Sequence, residues 1–445
     1  MKFKIEQGNE LINSVGGISL VGKALEQVEM KKHLIDNTPG TLLQRTRTAD
    51  TLMSWIGLAS QAKTNFEDIE LFRDDEFFKS TFGLNHIYSS SRFRQIMEEI
   101  ANDEVEEVVK DCNLSLLKEK TFGTIKIGEY DTEYIPCDLD VSPFDNSKSS
   151  KEFVSRTYKG HDGYAPMFAY IGTEGYMLNS ELRPGKQHCQ KGTELFLHET
   201  IDYLKDLGIL DKVMFRMDSG NDAAENIRIL NKAGVHFIIK RNPRKESKLK
   251  WLDIAKSLGE REEVRIGKTV FSGTTNHIQP AGFTDEDIPV EIVFEVTERS
   301  IDKKGYMFLI NDIELATYWT NTGETTSSIV WAYHNHGTSE QFHSELKTDL
   351  DVERLPSGKF EVNSLILILS MCAFNTLREI GMKMLEFKEY APVKMNVERK
   401  RMSSVLRNMI YIGCKMVKHS GSIILKFGRN CKWFELFRKV YLSYC

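Results

Sequence analysis

The chain has 445 residues and a mass of 51.1 kDa, and that length predicts about three domains. Hydrophobic residues make up 41% and charged residues 28%, a globular balance that excludes disordered, collagen-like and coiled-coil chains. Net charge is −5, but residues 381–445 hold 14 Lys/Arg against 4 Asp/Glu, a basic stretch on an acidic body. Such a patch fits phosphate binding, and it equally fits a solvated pair of amphipathic helices. The start, Met1-Lys2-Phe3-Lys4-Ile5-Glu6-Gln7, has no apolar stretch, so no secretory signal is expected. The most apolar window, 365–374, is about half of the roughly 20 residues a membrane span needs. The seven cysteines (112, 137, 189, 372, 414, 431 and 445) are odd in number and form no CxxC pair. They predict a reducing cytoplasm and no zinc finger, and the short apolar window predicts no membrane partner.

In chain order, residues 18–35 and 51–59 carry the apolar spacing of helices, and 68–82 a shorter one ending at Gly83. A turn at 84–88 leads to Ser89-Ser90-Ser91, which caps a predicted helix opening with Arg92, Phe93 and Arg94 and running through Val109. This outline is that of a helix-turn-helix, with Arg92 and Arg94 as DNA contacts, or of an ordinary helical hairpin. From Thr121 the period changes. Strands are predicted at 133–141, 163–172 and 175–182, a helix at 193–207, a strand at 212–217, a helix at 222–233 and a strand at 235–240. Hairpin-linked strands followed by alternating helices and strands predict a mixed α/β sheet, in the element order a ribonuclease-H-like fold requires. Residues 251–318 read as a β-rich insertion, helices resume at 323–347 and 362–380, and the basic stretch closes the chain. The predicted organisation is a helical region at 1–120, a catalytic domain in two parts at 121–245 and 321–380, a β-rich insertion at 246–320, and a basic helical region at 381–445.

Three carboxylates stand out by position. Asp140 lies near the end of the first apolar strand and Asp218 at the end of the fourth, and these strands are neighbours in a ribonuclease-H-like sheet. Carboxylates that close repel unless something positive lies between them, and Mg²⁺ with oxygen ligands is the usual partner. The structural alternative is that Asp218, before Ser219-Gly220, only caps a turn. Asp138 and Asp140 are two apart on one strand face, so alternation does not choose between them. In 331–347, helical spacing puts His336, Glu340, His343 and Lys347 on one face, so Glu340 can serve a metal while Lys347 meets a phosphate. His334, His336 and His343 come with no HExxH or Cys partner, which disfavours zinc.

Tyr333, His336, Glu340 and Lys347 resemble the Tyr-(2)-Arg-(3)-Glu-(6)-Lys signature of DDE transposases of bacterial insertion sequences, with His336 in place of Arg. Other segments resemble the family numbered thirteen-eighty among those elements: Asp138-Leu139-Asp140-Val141-Ser142, Gly163-Tyr164-Ala165-Pro166-Met167, Leu182-Arg183-Pro184-Gly185, Arg216-Met217-Asp218-Ser219-Gly220, and 363–377. The resemblance implies Asp140, Asp218 and Glu340 as the catalytic, metal-binding acids, with Mg²⁺ as cofactor and Mn²⁺ able to substitute. It prefers Asp140 to Asp138 because a small residue and a hydroxyl residue follow the family's catalytic Asp. It implies that Tyr333 and Lys347 contact the element's end, with His336 able to bond phosphate. It also implies a β-rich insertion between the second Asp and the Glu. Arg183, Lys240 and Arg241 are further phosphate-contact candidates, and Trp251 and Trp319 are candidates for stacking on a base or for core packing.

The expected function is a transposase acting on double-stranded DNA at terminal inverted repeats and target sites, as a homodimer in a bacterial cytoplasm at the nucleoid. The alternatives are a stand-alone ribonuclease-H-like nuclease, which cuts without joining, and a DNA-binding protein that has lost catalysis.

Overall fold

Up to Leu117 the chain folds into helices whose apolar faces share one core, in a computed structural model that describes residues 3–302, 304–419 and 422–445. These are α1 (Ile18–Gln27), α2 (Met30–Asn37), α3 (Leu42–Ala59), α4 (Glu76–Thr81), α5 (Ser90–Ile100) and α6 (Asp103–Leu117). The single helix expected at 18–35 is broken, because Glu29 sits in the left-handed region at φ 47°. The run expected from Arg92 through Val109 is broken as well: Asn102 leaves helical geometry and its side chain accepts from Val105 N at 3.0 Å, starting α6. The helix expected at 68–82 is a 3₁₀ segment, Phe66–Phe72, followed by the six-residue α4. Arg92 and Arg94 spend their guanidinium groups on neighbours, Glu99 at 2.9 Å and Glu67 at 2.7 Å.

The sheet follows: β1 (Thr132–Val141), β2 (Met167–Ile171), β3 (Tyr176–Glu181), α7 (Thr193–Asp206), β4 (Val213–Met217), α8 (Ala224–Ala233), β5 (His236–Lys240), α9 (Lys248–Leu258), β6 (Glu260–Arg265), β7 (Lys268–Thr275), β8 (Glu291–Ile301) and β9 (Met307–Thr320). Across the sheet the order is β6-β7-β8-β9-β5-β4-β1-β2-β3, with β5–β4 and β4–β1 parallel and the other neighbours antiparallel. β4 is buried along its whole length, as a parallel strand covered on both faces must be. On one face α7 and α8 pack against Leu139, Phe215 and Met217. The expected strand at 163–172 divides: Asp162–Tyr164 joins a small sheet with Phe144–Asp145 and Ser155–Arg156, and only Met167–Ile171 enters the main sheet. The strands at 260–320 do not close on themselves. The end of β9 pairs with β5, Ile239 opposite Trp319, so they extend the same sheet.

On the other face lie α10 (Thr326–His334), α11 (Thr338–Ser344) and α12 (Phe360–Glu386). Ile329, Val330 and Ala332 of α10 pack on Met214, Ile238 and Tyr318. α12, 27 residues long with a window of mean hydropathy 1.5, is long and apolar enough to cross a membrane, well beyond the ten-residue window read from the sequence. Here 83% of that window is buried inside the protein, between the N-terminal helices and β3. The basic region expected to be helical is only partly so. It holds α13 (Met402–Val405) and α14 (Phe434–Leu442), but between them Cys414–His419 and Ser422–Phe427 form a hairpin that also pairs with Ile12–Asn13. Its Arg399 turns inward to Glu345, while Arg401 stays exposed and pairs with Asp349.

Candidate active site

Strand alternation points Asp138 and Asp140 to the face of β1 that α10 and α11 cover, and the register then separates their roles. Asp138 stands opposite Arg216 of β4. Arg216 Nε and Nη2 reach its two oxygens at 2.6 and 2.7 Å, while Nη1 donates to the Ala332 carbonyl at 2.9 Å, so one guanidinium ties two strands to α10. His336 Nδ1 lies 3.0 Å from Asp138 Oδ1. Asp138 is 1% exposed, and although burial opposes its charge, Arg216 and His336 hold its carboxyl below its ordinary pKa. It has no room for a ligand.

Asp140 is the next residue on that face, and its side chain is 24% exposed. One oxygen accepts from Val141 N at 2.8 Å, and the other lies 3.3 Å from His343 Nε2. Pairing of β1 with β4 ends at Leu139 opposite Met217, so Asp140 and Asp218 both stand just past the paired strand ends. Asp218 accepts from Gly220 N at 3.1 Å and Asn221 Nδ2 at 2.9 Å, so it does cap a 3₁₀ turn while also facing the cavity. Burial raises its pKa, and the nearby charge of Asp140 raises it further.

The third acid arrives on an irregular helix. Between α10 and α11 the chain tightens to a 3₁₀ turn at Asn335–Gly337, and after α11 it widens to a π turn at Glu345–Asp349. Despite both irregularities, His336, Glu340, His343 and Lys347 line one cavity of about 580 Å³ together with Asp140, Asp218, Tyr333, Tyr158 and Lys159. Glu340 is exposed there, whereas the two histidines are buried against Asp138 and Asp140. Tyr333 leans on Tyr318, ring centroids 4.8 Å apart, with Lys240 Nζ 5.9 Å from its own ring. Lys347 donates to the Pro143 carbonyl at 2.6 Å and lies 5.5 Å from the Phe144 ring, and burial lowers its pKa to about 8.

Two expected phosphate contacts lie elsewhere. Arg183 is 1% exposed, held by Glu181, the Cys189 carbonyl and Thr193 Oγ1, so it braces the loop before α7 and presents no charge outward. Arg241 forms a two-pronged pair with Glu246 and lies between Trp251 and Trp319, 5.6 and 5.1 Å from their rings. His343, Tyr158 and Lys159 complete the cavity without having been picked out as site residues. His343 shares the helical face of Glu340 in the sequence, but nothing local marks the other two. Among the described residues, no three His, Cys, Asp or Glu side chains gather closely enough to hold a metal ion alone.

No curated protein matches this chain. A structure described as the piggyBac transposase synaptic complex with hairpin DNA is similar to it at 10% identity and a TM-score of 0.43, covering 91% of this chain and 82% of that one. The profile of the transposase DDE domain group 1 matches residues 5–443, nearly the whole length, and the protein belongs to that family.

Proposed function

We propose that the chain cuts DNA at the ends of a mobile element and joins those ends to target DNA, as a transposase of the thirteen-eighty type, with Asp140, Asp218 and Glu340 as its acidic triad. The observation that carries the reading is that three carboxylates far apart in sequence line one cavity, beside Tyr333, His336 and Lys347 of the same spaced signature. The sheet supports a ribonuclease-H-like assignment: β1-β2-β3 antiparallel, then β4 parallel to β1 and β5 parallel to β4, bringing the first two acids to neighbouring strand ends.

The donor set fits a hard divalent cation. Asp140 and Asp218 offer only carboxylate oxygens, and among the described residues no Lys or Arg pairs with either, in contrast to Asp138 with Arg216. Mg²⁺ or Mn²⁺ suits such donors, since Mg²⁺ takes one or two protein carboxylates and fills its shell with water and phosphate oxygens. Asp140 and Asp218, with Glu340, would hold such a cation, which when bound would supply positive charge to an in-line displacement at phosphorus.

The chain's own residues fix the geometry. Arg216 and His336, through Asp138, seat the helix that brings Glu340 to the strand ends, and His343 orients Asp140. Tyr333, Lys240 and Lys347 receive the DNA backbone. Water attacks a phosphodiester at the element's end: its oxygen bonds to phosphorus, the bond to the 3′ oxygen breaks, and a proton leaves on the freed 3′-hydroxyl. That hydroxyl attacks a target phosphodiester in the same way and releases a target 3′-hydroxyl, so no covalent protein–DNA bond forms. Two ends require two such sites, hence a homodimer, acting in the cytoplasm at the nucleoid.

Inverted repeats flanking the coding region supply the substrate. Asp218→Asn abolishes cleavage of those ends and leaves their binding within about two-fold, since it removes charge without volume. Pre-cleaved ends incubated with target DNA read joining separately. Cleavage that survives Asp218→Asn overturns the assignment, and ends that are cut but never joined reduce the protein to a nuclease.

A further inference from the structure

Both indoles that the sequence offers as stacking surfaces are core residues: Trp251 and Trp319 are each 2% exposed, their ring N–H groups donating to Glu246 and Asp222 at 2.7 and 2.8 Å. Of the tyrosines lining the cavity, Tyr333 is half-buried and Tyr158, in the loop joining Ser155–Arg156 to Asp162–Tyr164, is the more exposed. Tyr158 is 68% exposed, yet its hydroxyl is tethered, donating at 3.0 Å to the carbonyl of Val141, the residue after Asp140. The loop is itself closed. Thr157 N and Oγ1 donate to the His161 carbonyl at 2.9 and 2.8 Å, Gly160 N donates to the Thr157 carbonyl at 3.0 Å, and Gly160 turns the chain back at φ 82°.

An aromatic ring anchored at its polar end and bare on its sides has little conformational freedom left to lose on binding. It makes no contribution to the hydrophobic cores, so its place at the cavity is otherwise unexplained. Lys159 lines the same cavity, its ammonium 6.0 Å from the Tyr158 ring centroid, and the ammonium of Lys347 is close enough for Lys159 to help lower its pKa. The cavity therefore sets an open ring and two cationic side chains beside three carboxylates.

The geometry points to a nucleotide subsite on this loop: the Tyr158 ring stacks on an unpaired base next to the scissile phosphate, and Lys159 meets that nucleotide's own phosphate. The subsite rests on the transposase reading and specifies its substrate as a DNA end with at least one unstacked nucleotide at the cut. Stacking of this kind tolerates any base, because every base has a π face.

The test uses the full chain at low salt in EDTA, so that no strand is cut. Two probes share one sequence: a blunt duplex, and the same duplex with a short 3′ overhang whose first unpaired base is 2-aminopurine. Wild type binds the overhang probe more tightly and quenches its fluorescence. Tyr158→Ala loses the quench and about 5- to 150-fold in affinity for that probe, and holds its blunt-duplex affinity. Tyr158→Phe keeps the ring and the quench and loses about 5-fold at most, the worth of the tether. Lys159→Ala lowers the salt slope of overhang binding by about 1. Circular dichroism spectra that superimpose on wild type certify each variant. If Tyr158→Ala binds and quenches the overhang probe as wild type does, the subsite is wrong while the DNA reading stands. If wild type binds neither probe, the DNA reading falls and the subsite with it.

Discussion

The two aspartates of β1 should respond oppositely to the same chemical change. The Asp138 and Arg216 side chains are 2% and 3% exposed and joined by two short hydrogen bonds, so water cannot screen a broken pair. Asp138→Asn keeps shape but leaves the Arg216 guanidinium buried without a counter-charge, which costs about 3–5 kcal/mol. For a 445-residue chain the per-residue unfolding entropy converts each kcal/mol into about 1 °C, so the apparent Tm falls by about 3–5 °C. Adding Arg216→Met removes the stranded charge and recovers about 2 kcal/mol, less than the full loss because the Ala332 carbonyl then lacks its donor. Asp140→Asn instead lifts a repulsion that Asp218 feels, so its Tm stays level or rises while DNA cleavage is lost. Differential scanning calorimetry of the three variants and wild type, beside a cleavage assay, reads all of this. Should Asp138→Asn melt with wild type while Asp140→Asn loses several degrees, the division of roles drawn here is refuted.

Glu106 on α6 is held at a pKa of about 7 by burial, against an ordinary 4.5, partly offset by a hydrogen bond from Ser364. A carboxyl raised on folding stabilises fully below pH 4.5 and loses that stability as pH rises through 7. Urea titrations should therefore show roughly 3 kcal/mol lost between pH 4.5 and 8, and Glu106→Gln should flatten that slope. Glu345 is buried between Arg378 at 2.7 Å and Arg399 at 3.2 Å, and Arg378 is wholly enclosed. Glu345→Gln should cost about 3–5 kcal/mol, and Arg399→Ala, whose side chain is partly exposed, about 1–2 kcal/mol, in the same denaturation assay. A Cβ at Gly163 would fall 1.8 Å from the Phe144 carbonyl oxygen, so Gly163→Ala should displace the strand that anchors the Tyr158 loop. Cleavage should fall by about ten-fold or more with a Tm loss of only a few degrees; a Tm collapse with normal specific activity in the folded fraction would contradict this placing of the strand.

Much of the site is local information. Alternation alone puts Asp138 and Asp140 on one strand face, and helical spacing alone groups His336, Glu340, His343 and Lys347, a grouping that survives a 3₁₀ turn and a π turn. Strand ends hold Asp140 and Asp218, where apolar runs stop. The apolar spacing continues through both helix breaks and masks them: Asn102 does carry a local signal, its capping side chain ahead of an acidic first turn, whereas Glu29 makes no side-chain cap. Arg183 and Arg241 look like surface cations in one dimension. Each pairs with a carboxylate close by in the chain, Glu181 and Glu246, and is buried because aromatic rings further along, Phe196 for Arg183 and Trp251 and Trp319 for Arg241, close over it.

What this sequence determines unaided is therefore the set of elements and the face each residue takes, since both depend on neighbours within a turn or two. Which aspartate stays free is decided by tertiary structure. Asp138 is consumed because parallel pairing sets it opposite Arg216, 78 residues away, while the pairing stops one residue short of Asp140. Pairing register comes from burying the apolar face of the whole sheet at once, and no window of sequence contains that condition.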